Sequence, residues 1–239
     1  MKFEFCRFSG RLLAAGVLWL AVTCSAHAVD EMDDATTFVL IGASYAASWQ
    51  TESLAGQPLI NKGIGGNESG EMLDRFADDV VALQPRAVVI WGFINDIFRS
   101  SPSELEATKL RIRENIAAMV QLARSSGIEV IVATEVTVRE PAGFTNWIAG
   151  LVGRAMGKTS YRQYINEHVM DVNQWLRDFA EKEQLLVLDF ERALADDDHR
   201  RKAKYTQDDG SHLTAAAYSE ITKYAESRLA PTFVNSLNH

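Results

Sequence analysis

Cysteine is nearly absent from this 239-residue chain, and the two cysteines present, Cys6 and Cys24, both lie near the N-terminus. Basic residues are also in deficit, because 24 Lys and Arg face 32 Asp and Glu and give a formal net charge of −8. Such a chain repels phosphates and anionic lipids, which argues against a nucleic-acid partner or a basic membrane-binding surface. The sequence has no internal repeat, low-complexity tract or linker. It is therefore typical of an ordinary globular protein.

The apolar run from Leu12 to Val22 is too short to span a bilayer comfortably. Basic residues, among them Arg7 and Arg11, precede it, and the small-x-small pattern Ala26-His27-Ala28 follows it. This combination predicts an export signal over residues 1–28, cleaved after Ala28, with an uncleaved anchor as the alternative. The form of the signal predicts a periplasmic or secreted location in a bacterium.

Cleavage after Ala28 would remove both cysteines and leave a single domain, residues 29–239, with no stable membrane span. An exported chain without cysteine forms no disulfide and has no thiol nucleophile. Its stability must then come from an ordinary hydrophobic core.

Five short apolar runs alternate along the chain with segments of helical periodicity. Unbroken apolar runs of this length are typical of strands buried on both faces. The runs are Phe38–Ile41, Leu59–Ile60, Ala87–Trp91, Val130–Ala133 and Leu185–Leu188. Strands that alternate with helices predict an α/β fold in which a parallel sheet lies between two helical layers. Ligands of such sheets bind beyond the carboxyl ends of the strands.

Four segments have apolar residues at helical spacing and recognisable start or stop signals. The predicted helices are 72–83, closed by Pro85; 105–123, opened by a capping box of Ser103 and Glu106; 165–179, with a capping box of Ser160 and Gln163; and 214–229, before Pro231.

Polar side chains and glycines follow the predicted strands. Ser44 follows the first strand, a glycine-rich stretch that includes Gly66 follows the second, and Asn95 follows the third. Asp209 and His212 share one loop before the last helix. These residues provide a nucleophile, a base, a carboxylate to orient the base, and backbone and amide donors for an oxyanion. The pattern predicts a serine hydrolase.

A serine hydroxyl is protonated at neutral pH and needs a base before it can attack an ester. His212 can take that proton, and a carboxylate three residues earlier can fold back to fix the tautomer of the imidazole. Asp208 is a rival for this role, but only Asp209 has the Asp-x-x-His spacing.

In their order and spacing these blocks resemble the SGNH (GDSL-type) hydrolase family, from the first strand to the final helix. The resemblance implies a flavodoxin-like three-layer α/β/α sandwich with a mostly parallel five-stranded sheet. It also implies ester hydrolysis with neither a metal nor a cofactor. By this resemblance Ser44 matches the nucleophile, Gly66 and Asn95 match the oxyanion residues, and Asp209 and His212 match the acid and the base.

Three positions differ from the usual family pattern. Ala43 stands where the family has Asp, Gly92 lies one residue earlier than in Gly-x-Asn-Asp, and Leu213 follows His212 where proline is common. None of these differences removes a reacting group.

The resemblance implies a serine ester hydrolase for acyl or lysophospholipid-like esters, so the expected partner is a small-molecule, lipid or carbohydrate ester. One alternative is an O-acetyl esterase that acts on carbohydrate acetyl groups. A second alternative is a non-catalytic ligand-binding protein on the same fold, which Ala43 would favour. The sequence does not indicate an oligomeric state.

The sequence also supports a structural prediction for each of two further segments. An apolar, glycine-containing stretch, 144–156, includes Trp147 and Leu151 and could line an acyl pocket, with an ordinary core helix as the alternative. The mixed-charge run 196–202 predicts a solvated loop.

Overall fold

The computed structural model describes residues 37–140 and 160–233, all within one compact unit, Met32–His239. The predicted export signal, 1–28, and the predicted pocket segment, 144–156, lie outside the described residues. Among the helices that are described, none is long and apolar enough to cross a membrane.

Within the described residues, six strands form one sheet in the order β2-β3-β1-β4-β5-β6. Their bounds are β1 Phe38–Gly42, β2 Ser53–Leu54, β3 Gln57–Gly63, β4 Ala87–Trp91, β5 Glu129–Ala133 and β6 Leu186–Leu188. All pairings are parallel except that of the edge strand β2 with β3. The five parallel strands follow the flavodoxin-like order 2-1-3-4-5, so the predicted fold class is confirmed.

The structure has one strand more than the sequence analysis predicts. β2 is only two residues long, and Ala55 and Gly56 connect it to β3 as a hairpin in which both turn residues have positive φ. This geometry matches the two-residue turns whose twist suits antiparallel strands. A strand of two residues has no apolar periodicity that could reveal it.

Eight α-helices are seen in the described part of the chain. They are α1 Ser44–Ala47, α2 Ser69–Asp74, α3 Phe76–Asp79, α4 Ile94–Arg99, α5 Leu105–Ser125, α6 Tyr161–Glu183, α7 Phe190–Leu194 and α8 Ala215–Phe233. The α5 and α6 helices pack against each other together with α2 and α4, whereas α8 packs against α7 and the strands β2 and β6. The crossover from β1 to β3 through α1 runs along the sheet in the opposite direction to the later crossovers through α2, α5 and α6, so right-handed connections place α1 on the opposite face from those helices. Trp49, just after α1, donates through Nε1 to the Thr222 hydroxyl of α8 at 2.9 Å, so α8 covers the same face as α1.

The predicted helix 72–83 is wrong as a single element. The backbone leaves helical geometry at Arg75 and again at Val80, which gives α2, α3 and a short 3₁₀ turn, Val81–Leu83. Met72, Phe76 and Val80 are nonetheless fully buried. The apolar stripe therefore marks a buried face correctly, while the break at Arg75 depends on the polar contacts of that side chain described below.

Two other helix boundaries differ from their predictions. The capping box of Ser103 and Glu106 does not form, because α5 begins after Glu104, whose carboxylate instead accepts a hydrogen bond from Ser101. The last helix continues past Pro231 to Phe233, whose ring meets that of Phe38 edge-on at 4.8 Å between centroids. Ser160 does cap α6, and its hydroxyl accepts the Gln163 N–H.

The crossing of α1 over β3 requires glycine at position 63. A Cβ built on Gly63 would lie 2.2 Å from the Ala47 backbone nitrogen, closer than any real contact allows. Gly65, two residues further along, has no atom within 4 Å of its built Cβ. We expect Gly63→Ala to lower the free energy of unfolding by at least about 2 kcal/mol, because the backbone must move to relieve the overlap.

Urea denaturation of the two variants tests this close approach, with Gly65→Ala as the control. Gly65→Ala should stay within about 1 kcal/mol of wild type. Equal unfolding free energies for the two variants would contradict the packing described.

Candidate active site

The carboxyl ends of β1, β3 and β4 lie at one level of the sheet. The pairing register sets Gly42 beside Gly63 on one side and beside Trp91 on the other. The Ile64 N–H donates to the Gly42 carbonyl at 3.0 Å, so the hydrogen bonding continues into the loop after β3. The loops that carry Ser44, Gly66 and Asn95 therefore start from neighbouring points at the same edge.

Arg75 joins the ends of two of these strands. Its guanidinium donates to the carbonyls of Gly42 at 3.1 Å and Lys62 at 2.7 Å, and its Nε donates to the Asn67 side chain at 2.9 Å. Asp79 at 2.5 Å balances the charge of Arg75. The break between α2 and α3 at Arg75 coincides with these contacts, which hold the loop after β3 against the end of β1.

Asp96 joins the loops after β3 and β4. Its carboxylate accepts the Ser69 backbone N–H at 2.8 Å and the Ser69 hydroxyl at 2.7 Å. Asp96 is buried, and burial raises the pKa of its carboxyl although the bonds from Ser69 oppose the shift. The N-terminus of α2 is thereby fixed to the residue that directly follows Asn95.

A hydrogen bond joins Asn95 to the loop that carries Gly66. The Asn95 amide donates one N–H to the Asn67 carbonyl at 2.9 Å, next to Gly66. A primary amide has two N–H groups, so a second one remains for another acceptor. Gly66 has a φ of +84°, a conformation that favours glycine and that sets the direction of the backbone N–H groups in this loop.

Asp209 and His212 are in direct contact. The carboxylate Oδ2 lies 2.5 Å from His212 Nδ1, while Oδ1 accepts the backbone N–H groups of Ser211 at 2.8 Å and His212 at 2.9 Å. Partial burial alone would raise the pKa of Asp209, but these bonds lower it to about 2. Asp209, and not Asp208, makes the contact with the imidazole, as the Asp-x-x-His spacing predicts.

A tyrosine connects this loop to the serine turn. The Tyr45 hydroxyl, one residue after Ser44, donates to the carbonyl of Ser211, one residue before His212, at 2.7 Å. The Tyr218 hydroxyl in turn donates to the Tyr45 carbonyl at 3.2 Å. The five predicted catalytic and oxyanion residues thus lie on loops or first helical turns that hydrogen bonds join at one edge of the sheet.

A buried carboxyl lies beneath the loop after β4. Oε1 of Glu135 accepts the backbone N–H groups of Phe93 at 2.9 Å and Ile94 at 3.3 Å, while Oε2 has no hydrogen-bond partner among the described residues. The Asn173 side chain bonds both the N–H and the carbonyl of Glu135, at 2.9 and 2.8 Å. Complete burial raises the pKa of Glu135 to about 7.

The profile of the GDSL-like lipase/acylhydrolase family matches residues 39–219, which is most of the chain. The chain belongs to the GDSL-like lipase/acylhydrolase family. It is therefore placed among acylhydrolases and esterases.

Three solved structures of other proteins share this fold. A putative acylhydrolase from Bacteroides fragilis is 24% identical with a TM-score of 0.64, and the match covers 83% of this chain and 88% of that protein. A GDSL-like lipase from Bacteroides thetaiotaomicron is 20% identical with a TM-score of 0.63, covering 84% and 89%. A variant of an acetyl-xylooligosaccharide esterase from Geobacillus is 14% identical with a TM-score of 0.60, covering 81% and 93%.

A curated relative matches over a shorter stretch. The uncharacterized lipoprotein YqeF of Bacillus subtilis (strain 168) is 29% identical over 85 residues, which are 36% of this chain and 35% of that protein. The match thus spans about a third of the relative's length.

The three positions at which this GDSL-family chain differs from the usual family pattern are all buried. Ala43 is buried and makes no side-chain cap to α1. A Cβ on Gly92 would lie 3.1 Å from the Ala43 nitrogen and 3.0 Å from the sulfur of Met72, so the end of β4 passes close to the serine turn. Leu213 is buried and forms an isolated antiparallel bridge with Thr206.

Sequence reasoning missed several residues that shape this site. Arg201 belongs to the charged run predicted as a solvated loop, yet its side chain is only 1% exposed, so the prediction is wrong at this position. Its guanidinium donates to two carbonyls in the loop of Asp209 and His212 and to the Thr206 hydroxyl, and these hydrogen bonds compensate its burial. Only a weak sequence signal points to Glu135, namely its place as a charged residue two positions beyond a buried apolar run. Trp147 and Leu151 lie outside the described residues.

The raised pKa of Glu135 makes stability depend on pH with a definite sign. Between about pH 4.5 and pH 7 the folded state of this GDSL-family chain binds more protons than the unfolded state, so Glu135 reduces stability as the pH rises. Glu135→Gln keeps an oxygen for the Phe93 and Ile94 N–H groups but cannot ionise. Relative to wild type, the variant should gain up to about 3 kcal/mol of unfolding free energy between pH 4.5 and pH 8.

Urea denaturation across this pH range measures the effect. Glu114→Gln, an exposed position on α5, is the control and should show no such pH-dependent gain. A constant difference between Glu135→Gln and wild type at every pH would show that Glu135 ionises in the folded state as easily as in water.

Proposed function

We propose that this protein is an exported serine ester hydrolase that acts through an acyl-enzyme on Ser44. The observation that carries the proposal is the contact between Asp209 and His212 on a loop that Tyr45 ties to the serine turn. The GDSL-family membership supports ester hydrolysis as the reaction class.

The proposed roles of the acid and the base follow from the chemistry of their contact. With a pKa of about 2, the Asp209 carboxyl is ionised at neutral pH and can only accept hydrogen bonds. The proton between it and the imidazole therefore belongs to Nδ1, which leaves the lone pair on Nε2. His212 is then prepared to accept the Ser44 proton through Nε2.

The reaction proceeds in two steps, acylation of Ser44 and hydrolysis of the acyl-serine. The Ser44 oxygen attacks the ester carbonyl as its proton moves to His212, and the protonated imidazole then gives this proton to the departing alcohol. Water attacks the resulting acyl-serine as His212 takes one of its protons. The bond between the acyl group and the Ser44 oxygen then breaks, His212 returns the proton to Ser44, and the carboxylic acid is released. The free Asn95 N–H and the Gly66 backbone N–H stabilise the negative charge on the carbonyl oxygen in both steps.

Removing the nucleophile tests the mechanism directly. Ser44→Ala should lower kcat by at least about 10³-fold at unchanged melting temperature, because only substrate binding and the oxyanion donors remain. Modification of Ser44 by a fluorophosphonate, followed by mass spectrometry, distinguishes an esterase from a ligand-binding protein on the same fold. A folded Ser44→Ala protein with a tenth of wild-type activity would refute the assignment.

Asp208 and Asp209 provide a matched pair for the acid. Asp209→Asn should lower kcat far more than Asp208→Asn, since the amide cannot hold the imidazole in the required tautomer. Steady-state kinetics on the two variants measures this difference. Equal losses, or a greater loss from Asp208→Asn, would remove Asp209 from the mechanism.

For the substrate we propose acyl or lysophospholipid-like esters, with an O-acetyl ester of a carbohydrate as the second candidate. The structural neighbour from Geobacillus that acts on acetyl-xylooligosaccharides favours keeping the second candidate, although at 14% identity the likeness concerns the fold. A series of p-nitrophenyl esters from acetyl to decanoyl separates the two. A kcat/KM that rises with the length of the acyl chain supports an ester of a longer acyl group. A kcat/KM that is greatest for the acetyl ester supports the O-acetyl esterase.

For the location we propose export to the periplasm or the cell exterior. The basic, apolar and small-residue pattern of residues 1–28 supports it. The partial match to a lipoprotein is compatible with export.

A further inference from the structure

Arg201 is a buried cation at an unusual place. Its side chain is 1% exposed, and no described carboxylate lies within 4 Å of its guanidinium. Burial of an unpaired charge is costly unless hydrogen bonds compensate it. Here Nη2 donates to the Gly210 carbonyl at 2.7 Å, Nη1 to the Ser211 carbonyl at 2.9 Å, and Nε to the Thr206 hydroxyl at 3.0 Å.

The two carbonyls belong to the short connection between Asp209 and His212. A planar guanidinium can bind two neighbouring acceptors at fixed relative positions, which an ammonium group cannot do. The backbone of Arg201 is itself fixed, because its N–H donates to the Thr137 hydroxyl at 3.0 Å and its carbonyl accepts from Arg139 at 2.8 Å. The acid and base loop is thus held by a rigid donor from another part of the chain.

The Ser211 carbonyl has a second donor. The Tyr45 hydroxyl binds the same oxygen at 2.7 Å, and Tyr45 directly follows Ser44. Burial raises the pKa of Tyr45 well above its usual value, so the phenol keeps its proton and remains a donor. One carbonyl oxygen, next to His212, therefore receives both a donor that holds the loop and a donor from the serine turn.

We propose that Arg201 and Tyr45 are positioning residues that set the distance and direction between Ser44 and His212 through the Ser211 carbonyl. The inference rests on the proposed function. It also explains how the serine turn is steadied with Ala43, which has no polar side chain, at the position where the family has Asp. A displacement of about 1 Å between reacting groups can cost about 10²-fold in rate, so the effect belongs in kcat.

Each carbonyl keeps one donor when Arg201 is replaced. Gly210 still accepts the Arg139 N–H at 2.8 Å, and Ser211 still accepts Tyr45. Arg201→Met should therefore leave a folded protein with kcat lowered about 10²-fold and KM within about threefold of wild type. Arg201→Lys should recover part of kcat, because an ammonium keeps a buried charge with N–H donors but lacks the planar fork that fixes two carbonyls relative to each other.

Tyr45→Phe is the second variant and removes a single oxygen from a buried ring. It leaves Arg201 on the Ser211 carbonyl, so we expect a smaller loss of about tenfold in kcat with KM unchanged. Arg200→Met is the matched control, because Arg200 is exposed and pairs with Asp198 at 2.5 Å. It should keep wild-type kcat.

Three measurements on these variants decide the proposal: steady-state kinetics on p-nitrophenyl acetate, melting temperature, and the proton NMR resonance of the His212 Nδ1–H. The resonance should shift or broaden in Arg201→Met and Tyr45→Phe but not in Arg200→Met. If Arg201→Met does not fold, Arg201→Lys and Tyr45→Phe carry the test.

The proposal is overturned if the folded variants match Arg200→Met in kcat and in the resonance, or if only the melting temperature falls. A loss that appears in KM alone would also overturn it and would indicate contact with substrate instead. Activity retained in Ser44→Ala would refute the proposed function, whereas an inactive Ser44→Ala beside fully active Arg201 and Tyr45 variants would refute only the positioning role.

Discussion

The pairing of β1 with parallel neighbours on both sides is the constraint that organises this molecule. Since β3 and β4 run in the same direction as β1, their carboxyl ends meet at one edge, and the three loops that follow must share that space. The chain passes so closely there that a Cβ on Gly42 would lie 2.2 Å from the Trp91 carbonyl oxygen. The site is thus built on the register of the sheet, and the small residues at its base are a consequence of this crowding.

The other half of the site comes from the opposite end of the chain. The loop of Asp209 and His212 follows β6, which lies three positions from β1 in the sheet, so strand pairing cannot position it. Buried polar contacts perform this task, with Arg201 and Tyr45 on the Ser211 carbonyl as their centre. A buried polar network of this kind is favourable only when its members find partners, and this requirement gives it a defined geometry.

The two loops are held by side chains with opposite hydrogen-bonding roles. Glu135 accepts backbone N–H groups of the loop after β4, while Arg201 donates to carbonyls of the acid and base loop. Each side chain suits the orientation of the peptide groups it meets, because a carboxylate only accepts and a guanidinium only donates. Neither could exchange places with the other without leaving buried peptide groups unpaired.

Much of the fold was predictable because its signals are local. The apolar runs identify all five parallel strands, and Ser160 caps α6 as its spacing with Gln163 predicts. Two of the wrong predictions concern features that depend on distant partners. The helix expected over 72–83 breaks at Arg75, whose guanidinium binds Gly42 and Lys62, and the last helix passes Pro231 where Phe233 packs on Phe38. No window of neighbouring residues contains those contacts.

The sequence by itself determined the class of fold, the order of the loops at the strand ends, and the preference for Asp209 over Asp208 beside His212. Each of these follows from periodicity or from spacing within a few residues. Only the tertiary structure decided which side chains hold those loops together. Arg201 is indistinguishable in sequence from its exposed neighbour Arg200, and Tyr45 meets Ser211 from 166 residues away. Burial and long-range hydrogen bonds are properties of the folded chain, because they arise only when segments distant in sequence are packed against each other.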